Sequence, residues 1–197
     1  CCPGEIGMYL GLTGQRLRAA DTLYAGIGDV HVPADRLAAL LDALAGAEAL
    51  DGDGVAAILR NFAVDPGEAP LAAHRAAIDR CFSGDSVEDI LARLAAEDGD
   101  WGRAQIETLS TKSPTALKVT FRQLRLGARI ESIAEIMAME YRLADRSFRG
   151  HDLFEGIRAV VIDKDGAPKW DPTTLDAVSD ADGDEYFVPV AGEPTFG

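Results

Sequence analysis

Helical periodicity runs through most of this sequence and leaves little chain from which a sheet could be built. Apolar residues recur at three- and four-residue spacing, and Gly or Pro usually ends each run. The pattern predicts helices at 5–12, 17–25, 36–46, 54–63, 70–82, 86–97, 101–109, 114–126, 130–149 and 154–163. Only DVHVP, at 29–33, alternates apolar and polar residues as a short strand does. Because strands need partners, we expect a mostly α chain with one or two short strands.

Local signals sharpen some of these helix boundaries. Ser113 followed by Pro114 is typical of a helix start, since the hydroxyl caps free N–H groups and Pro suits the first helical position. Asp152 is suited to cap the helix that follows it. Within that helix, Glu155 and Arg158 stand three residues apart and are expected to form an ion pair.

The charge of the chain excludes two classes of partner. Its 197 residues carry 33 acidic and 19 basic side chains, a net charge of −14. Nucleic acids and anionic membranes both attract clustered Lys and Arg, so neither is an expected partner. A small anionic ligand would need a local basic pocket. No apolar run approaches the roughly 18 residues of a membrane span.

Cysteine usage points to a reducing compartment. The three Cys residues, at positions 1, 2 and 81, are odd in number and lack a zinc-type spacing. Free thiols of this kind predict a cytoplasmic location. Cys81 lies on an apolar helix face and is expected to be a buried small hydrophobic residue.

The candidate metal and catalytic motifs lack the residue types and spacing that such sites require. SDADGDEYF (179–187) puts Asp180, Asp182 and Asp184 at the first, third and fifth positions of a calcium loop, but the sixth is Glu185 where Gly is needed. We interpret the segment as a solvated acidic turn. The three His residues are scattered, and no nucleophile elbow or phosphate loop occurs. The residues alone therefore predict no metal site and no catalytic residue.

Three segments resemble one enzyme superfamily. RAADTLYAGIGDVHVPADRL (18–37) resembles the post-core helix, strand and helix of the crotonase, or enoyl-CoA hydratase/isomerase, superfamily, which acts on acyl-CoA thioesters. LSTKSPTALKVTFRQLRLGA (109–128) and MEYRLADRSFRGHDLFEGIRAVVIDKDGAPKWDP (139–172) are similar to its 3-hydroxyisobutyryl-CoA hydrolase branch. A helical insert at about 47–108 also suits that branch. The resemblance covers residues 3–190.

The resemblance implies an α/β family fold, the crotonase-like spiral, of which this chain is the mostly α C-terminal portion. It divides the chain into the end of the crotonase core at 1–46, a helical insert and capping region at 47–190, and a tail at 191–197. In such enzymes two backbone N–H groups hold the thioester oxyanion, and carboxylates transfer protons. The segments that supply these groups lie N-terminal to the point matching Pro3-Gly4, so the resemblance assigns no catalytic residue here.

Three substrate-binding positions follow from the resemblance. Phe154 would line the pocket that binds the acyl group, and Lys164 and Lys169 would contact the phosphates of coenzyme A. The alternative is a solvated Lys pair on a surface turn, with Trp170 packing as a lid. Coenzyme A would arrive as part of the substrate, so no separate cofactor is expected.

The implied function is hydrolysis of a hydroxyacyl-CoA thioester in bacterial valine catabolism. We expect the chain to be inactive alone and to use an acyl-CoA thioester only when an N-terminal half complements it. Two alternatives stay open: part of an enoyl-CoA hydratase or isomerase, and a non-catalytic remnant that serves as a binding or assembly module. The apolar faces of the helices predicted at 5–12 and 114–126 would not be covered by the rest of this chain, which also predicts a homo-oligomer or a marginally stable chain.

Overall fold

The computed structural model describes residues 2–47 and 51–195 and divides the chain into two compact units. The first unit comprises Cys1–Gly7 and Gln15–Arg80, and the second comprises Met8–Gly14 and Cys81–Gly197. Helix α1 (Ile6–Thr13) begins in the first unit and ends in the second. Cys1 and the last two residues of the predicted tail lie outside the described residues. The predicted family regions, with their boundary after residue 46, stay predictions.

Short helices and loops build the first unit. They are α2 (Ala19–Tyr24), α3 (Leu37–Ala45), α4 (Gly52–Phe62), α5 (Pro70–Ala73) and most of α6 (Arg75–Phe82), with a 3-10 turn at Ala34–Arg36. α2 packs against α5, where the buried carboxylate of Asp21 accepts the N–H of Leu71 at 2.8 Å. The helix predicted at 70–82 is interrupted, because His74 leaves helical geometry with φ −102° and ψ 0°.

The strand predicted at 29–33 is wrong. These residues form a loop, and none of the described residues lies in a strand. The carbonyl of His31 accepts the N–H of Val64 at 2.9 Å, while Val30 is 38% exposed. An alternating pattern becomes a strand only beside another strand, and the described part of the chain supplies none. The expectation of one or two short strands is corrected accordingly.

The second unit contains six further helices of the described chain. They are α7 (Val87–Ala96), α8 (Asp100–Ser110), α9 (Pro114–Gly127), α10 (Ile133–Arg149), α11 (His151–Ile157) and α12 (Asp180–Glu185). The two longest helices among the described residues are α9 and α10. α11 continues into a π-helical turn at Arg158–Ile162, and a 3-10 turn follows at Leu175–Ala177. The predicted start of α9 is confirmed: Ser113 Oγ accepts the N–H of Ala116 at 3.0 Å, and Pro114 is the first helical residue.

Two local predictions in this unit need correction. α11 begins at His151, after Gly150, so Asp152 sits inside its first turn and does not cap it. The segment interpreted as an acidic turn contains helix α12. Ser179 Oγ accepts the N–H of Asp182 at 3.2 Å, and the Asp182 carboxylate accepts the N–H of Ser179 at 2.9 Å. This reciprocal capping satisfies free N–H groups at the helix start and favours a helix over a turn.

Close helix packing makes the core of the second unit. Its fully buried side chains come chiefly from α6, α7 and α8, namely Phe82, Val87, Ile90, Leu94 and Leu109, and the ring edge of Tyr9 meets Phe82 at 5.3 Å between centroids. Cys81 is 1% exposed, which confirms its predicted burial. A smaller cluster of Val119, Met139 and Leu143 joins α9 to α10, and two of its members, Val119 and Leu143, line the site described next.

Candidate functional site

An apolar cavity of about 550 Å³ lies among α9, α10 and α11 of the second unit. Ligand sites in proteins typically measure about 300–1,000 Å³ and have mainly apolar walls with a few polar groups. This cavity has that composition: Ala116, Val119, Leu143, Leu153, Ile157, Val161 and Trp170 supply apolar surface, and Ser113, Thr120, Gln123, Asp152 and Tyr186 are among its polar residues. It draws on two of the segments that carry the resemblance, 109–128 and 139–172.

Asp152 lies at the centre of a polar cluster on the cavity wall. One carboxylate oxygen, Oδ2, accepts the hydroxyl proton of Ser113. The other, Oδ1, accepts the N–H of Asp171 at 2.9 Å and lies 3.0 Å from His151 Nδ1. Only 16% of the Asp152 side chain is exposed. The cluster therefore joins the start of α9, the start of α11 and a distant loop.

This cluster is not a nucleophile–base pair. A serine nucleophile needs a base that takes its proton, and in catalytic triads that base is a histidine. Here Ser113 donates to Asp152, while its oxygen also caps α9, and His151 contacts the opposite oxygen of the same carboxylate. The arrangement holds three chain segments together, so we assign it a structural role in the cavity wall.

A second carboxylate, Glu155, lies one turn further along α11. Arg158 donates to both of its oxygens, from Nη2 at 2.7 Å and Nε at 2.9 Å, which confirms the predicted ion pair. The N–H of Lys169 donates to Glu155 Oε1 at 2.7 Å. The Arg158 bonds, followed by the Lys169 bond, lower the pKa of Glu155 to about 2. Glu155 is therefore ionised near neutral pH, and with its oxygens already bound by Arg158 and Lys169 it is a weak general base.

Arg158 extends this network into the loop after the π-helical turn. Its Nη1 donates to Asp163 at 2.8 Å and to Asp165 at 2.7 Å. Its hydrogen bonds to Glu155, Asp165 and Asp163 raise the pKa of Arg158. One guanidinium thus binds three carboxylates, and it fixes the chain where it turns back toward α11.

The chain that returns after this turn, residues 163–171, is called the return segment below. Lys164 has a left-handed φ of 56° and Gly166 one of 62°, which reverse the chain direction. Trp170 Nε1 donates to the carbonyl of Thr111 at 3.0 Å. The Trp170 ring lies on Gly156, where a Cβ would be only 3.2 Å from the nearest ring carbon. The absence of a side chain at Gly156 therefore allows Trp170 to pack against α11.

The three predicted substrate-binding residues do not line the cavity itself. Phe154 projects from α11 with 55% of its surface exposed. Lys164 and Lys169 are both exposed, and within the described chain neither ammonium group has an ion-pair partner. Lys169 is adjacent to Trp170, which does line the cavity. The structure thus leaves both cations unpaired on the return segment, and their substrate role stays a prediction.

Sequence reasoning missed Asp152 and Gly156 as site residues. The sequence predicts Asp152 only as a helix cap, and Gly156 carries no signal by itself. The spacing Asp152–Glu155, followed by an indole at Trp170, is the feature that could have indicated them. What each carboxylate binds depends on the path of the chain 14 to 19 residues later, which local patterns do not specify.

A second recess, of about 450 Å³, holds the basic side chains of α9. Lys118 pairs with Glu88 at 2.8 Å, Arg122 pairs with Asp184, and Arg125 donates to the carbonyls of Phe82 and Gly84 at 2.9 and 3.1 Å. These cations already bind the protein itself. Arg129 also lines the recess, but so do four carboxylates, from Asp85, Glu88, Asp180 and Asp184, so the recess is not a predominantly basic pocket for an anionic ligand.

The described residues contain neither a metal-binding cluster nor a helix that could span a membrane. No cluster of three His, Cys, Asp or Glu side chains is placed there to hold a metal ion. None of the described helices combines the length and apolar character needed to cross a bilayer.

Comparison with known proteins gives the class of this chain. A sequence model of the family described as enoyl-CoA hydratase/isomerase matches residues 1–187. The match covers nearly the whole chain, so the chain belongs to the enoyl-CoA hydratase/isomerase family. The predicted resemblance to the crotonase superfamily is confirmed.

Individual relatives refine that result. The chain is 39% identical over 190 residues to a Xenopus laevis protein named 3-hydroxyisobutyryl-CoA hydrolase, mitochondrial, in a match covering 94% of this chain and 49% of the relative. Among solved structures, a carnitinyl-CoA dehydratase from Mycobacterium thermoresistibile matches with a TM-score of 0.87 and 38% identity, over 99% of this chain and 54% of that one. An enoyl-CoA hydratase from Rhodobacter sphaeroides 2.4.1 matches with a TM-score of 0.82 and 33% identity, over 98% and 54%. These matches support the crotonase family fold, and the chain spans about half the length of the relatives.

Proposed function

We propose that this chain is the C-terminal part of a 3-hydroxyisobutyryl-CoA hydrolase-like enzyme that cleaves an acyl-CoA thioester. The observation that carries the proposal is 39% identity over 94% of the chain to a relative with that name, of which the match spans 49%. The other half of such an enzyme would supply the oxyanion hole and the acidic residues. Valine catabolism and a cytoplasmic location remain predictions.

Within this proposal, α11 and the return segment contribute to substrate binding. Phe154 packs against the acyl group, and Lys164 and Lys169 contact the phosphates of coenzyme A. Two features support these roles: Phe154 is 55% exposed, and neither Lys ammonium group is engaged by a carboxylate of the described chain. An unpaired ammonium group keeps its charge available for a phosphate.

A complementation assay tests the proposal. The purified chain is mixed with the separately produced half of the Xenopus laevis relative that it does not match, and release of free coenzyme A thiol from 3-hydroxyisobutyryl-CoA is followed. We expect no release by either part and release by the mixture. Thiol release by this chain alone would contradict the assignment of catalysis to the other half. A mixture that forms no complex and shows no activity would favour the non-catalytic remnant.

One specific observation favours an alternative activity. The two solved structures that match this chain are named a dehydratase and a hydratase of acyl-CoA substrates. The same mixture should therefore also be given an enoyl-CoA thioester. Hydration of that substrate without hydrolysis of 3-hydroxyisobutyryl-CoA would assign the chain to the hydratase group.

A further inference from the structure

We infer that Asp152 and Glu155 are positioning residues, which hold the backbone of the return segment on both sides of Trp170 and so place Lys169 for an anionic ligand. The inference about the ligand rests on the proposed function. The inference about the backbone rests on the hydrogen bonds alone, and a separate experiment tests it.

The two carboxylates form a matched pair of acceptors. They lie three residues apart, on the same side of α11. Glu155 accepts the N–H of Lys169 at 2.7 Å, and Asp152 accepts the N–H of Asp171 at 2.9 Å. Both carboxylates are sheltered, with 10% and 16% of their side chains exposed. Hydrogen bonds to ionised acceptors are stronger than neutral ones, and limited exposure reduces competition from water.

Trp170, between the two bonded N–H groups, adds a third point of attachment. Its indole donates to Thr111 and packs on Gly156. The backbone of three consecutive residues, 169–171, is therefore fixed to α11 and to the segment before α9. The Lys169 side chain extends from this fixed backbone, and its ammonium group has no partner in the described chain.

The charges around the pair are mixed, so attraction of an anion depends on Lys169 itself. Arg158 donates two hydrogen bonds to Glu155 but also binds Asp163 and Asp165, and Asp152 lies 3.0 Å from His151 Nδ1. A fixed backbone lowers the entropic cost of holding Lys169 against a phosphate, because only side-chain rotations remain to be restricted. An ammonium group held in this way suits a phosphate of a coenzyme A thioester better than an uncharged ligand.

Amide hydrogen exchange of the 197-residue chain tests the backbone part, with Glu155→Ala and Asp152→Ala as variants. We expect exchange of the Lys169 amide in Glu155→Ala, and of the Asp171 amide in Asp152→Ala, to become roughly 10- to 100-fold faster, as loss of a charge-assisted hydrogen bond implies. The Ile90 amide in α7 should be unchanged. Asp152→Asn keeps a carbonyl acceptor and should restore part of the protection at Asp171. Unchanged exchange at both positions, in variants that remain folded, would overturn the inference.

Titration with free coenzyme A, followed by calorimetry, tests the ligand part. Glu155→Ala should weaken binding about as much as Lys169→Met, whereas Lys169→Met should leave the exchange of the Lys169 amide unaltered because its backbone bond remains. If coenzyme A binds the unmodified chain and Glu155→Ala equally well, the carboxylate does not position the ligand contact. If coenzyme A binds neither protein, the ligand part and the substrate-binding roles of the proposed function fail together, and hydrogen exchange still decides the backbone part.

Discussion

At the scale of single residues, the Asp152 carboxylate controls the titration of its neighbour. The hydrogen bond between His151 Nδ1 and Asp152 raises the pKa of His151 above its usual value of 6.5. A histidine whose pKa is raised on folding stabilises the fold fully below about pH 6.5, and the stabilisation is lost as pH rises through the folded pKa. An NMR titration of the His151 ring should therefore give a pKa above 6.5, and Asp152→Asn should lower it. Asp145→Asn removes an equal charge elsewhere on the second unit and should change it little. An equal response to both variants would contradict this account.

Glu155 gives a second prediction, with the opposite sign. Its pKa falls from 4.5 to about 2 because Arg158 and the Lys169 N–H both bind the ionised form. The stabilisation is present above pH 4.5 and is lost as pH falls toward 2. Glu155→Gln should therefore flatten the decline of the urea unfolding midpoint between pH 4.5 and 2. Glu135→Gln, in the exposed first turn of α10, serves as the matched control and should keep the steep decline.

The same residues show which part of the site the sequence could predict. The Glu155–Arg158 pair was predictable because both partners lie on one helix, three residues apart. The bonds from Glu155 to the Lys169 N–H and from Asp152 to the Asp171 N–H were not, because they join residues 14 and 19 positions apart. They depend on how the chain turns after the π-helical segment, and no periodic pattern specifies that path.

At the scale of helices, the contact between α7 and α8 depends on Gly102. Ala is normally better than Gly inside a helix by about 1 kcal/mol. Here, however, an added Cβ would lie 2.4 Å from the backbone carbonyl oxygen of Leu94 and 3.2 Å from Glu97 Cβ. A helix backbone cannot yield as a flexible side chain would, so Gly102→Ala should destabilise the chain by about 1–3 kcal/mol in urea unfolding.

Gly183→Ala is the control for this prediction. Gly183 lies inside α12, and an added Cβ there would meet no atom within 4 Å. The substitution should be neutral or stabilise by up to about 1 kcal/mol, because Ala restricts the unfolded chain more than Gly does. If both variants lose the same stability, close backbone approach is not what requires glycine at position 102.

Among the secondary structure elements, the sequence predicted those that rest on local signals. α9 was placed correctly because Ser113, Pro114 and the apolar spacing all agree, and α10 was identified by its long apolar stripe. The strand at 29–33 was wrong because a strand also requires a distant partner. α12 was not predicted for a different reason: its capping residues, Ser179 and Asp182, belong to an acidic segment whose composition is also typical of a solvated turn.

At the scale of the whole molecule, the exposed apolar surface of the second unit contrasts with the high net charge. The π-helical turn exposes 67% of Val160, 62% of Val161 and 68% of Ile162, and nearby Phe154 is also exposed. Three adjacent exposed aliphatic residues are unusual on the surface of a monomer. A net charge of −14 opposes association, but it is screened within about 10 Å at 0.1 M salt. Self-association should therefore increase as salt is added.

The double variant Val160→Lys/Ile162→Lys tests this prediction. It removes apolar surface that association would bury, worth roughly 25 cal/mol per Å² of contact, and should shift the chain toward the monomer in light scattering at 0.1–0.5 M salt. Ala92→Lys/Ala95→Lys adds the same charge at exposed positions of α7 and should leave the oligomer distribution nearly unchanged. A monomeric unmodified chain at all salt concentrations, or equal dissociation of both variants, would contradict association through this turn. If the turn instead meets the other half of the enzyme, the first variant should also lose complementation in the thiol-release assay, while the control retains it.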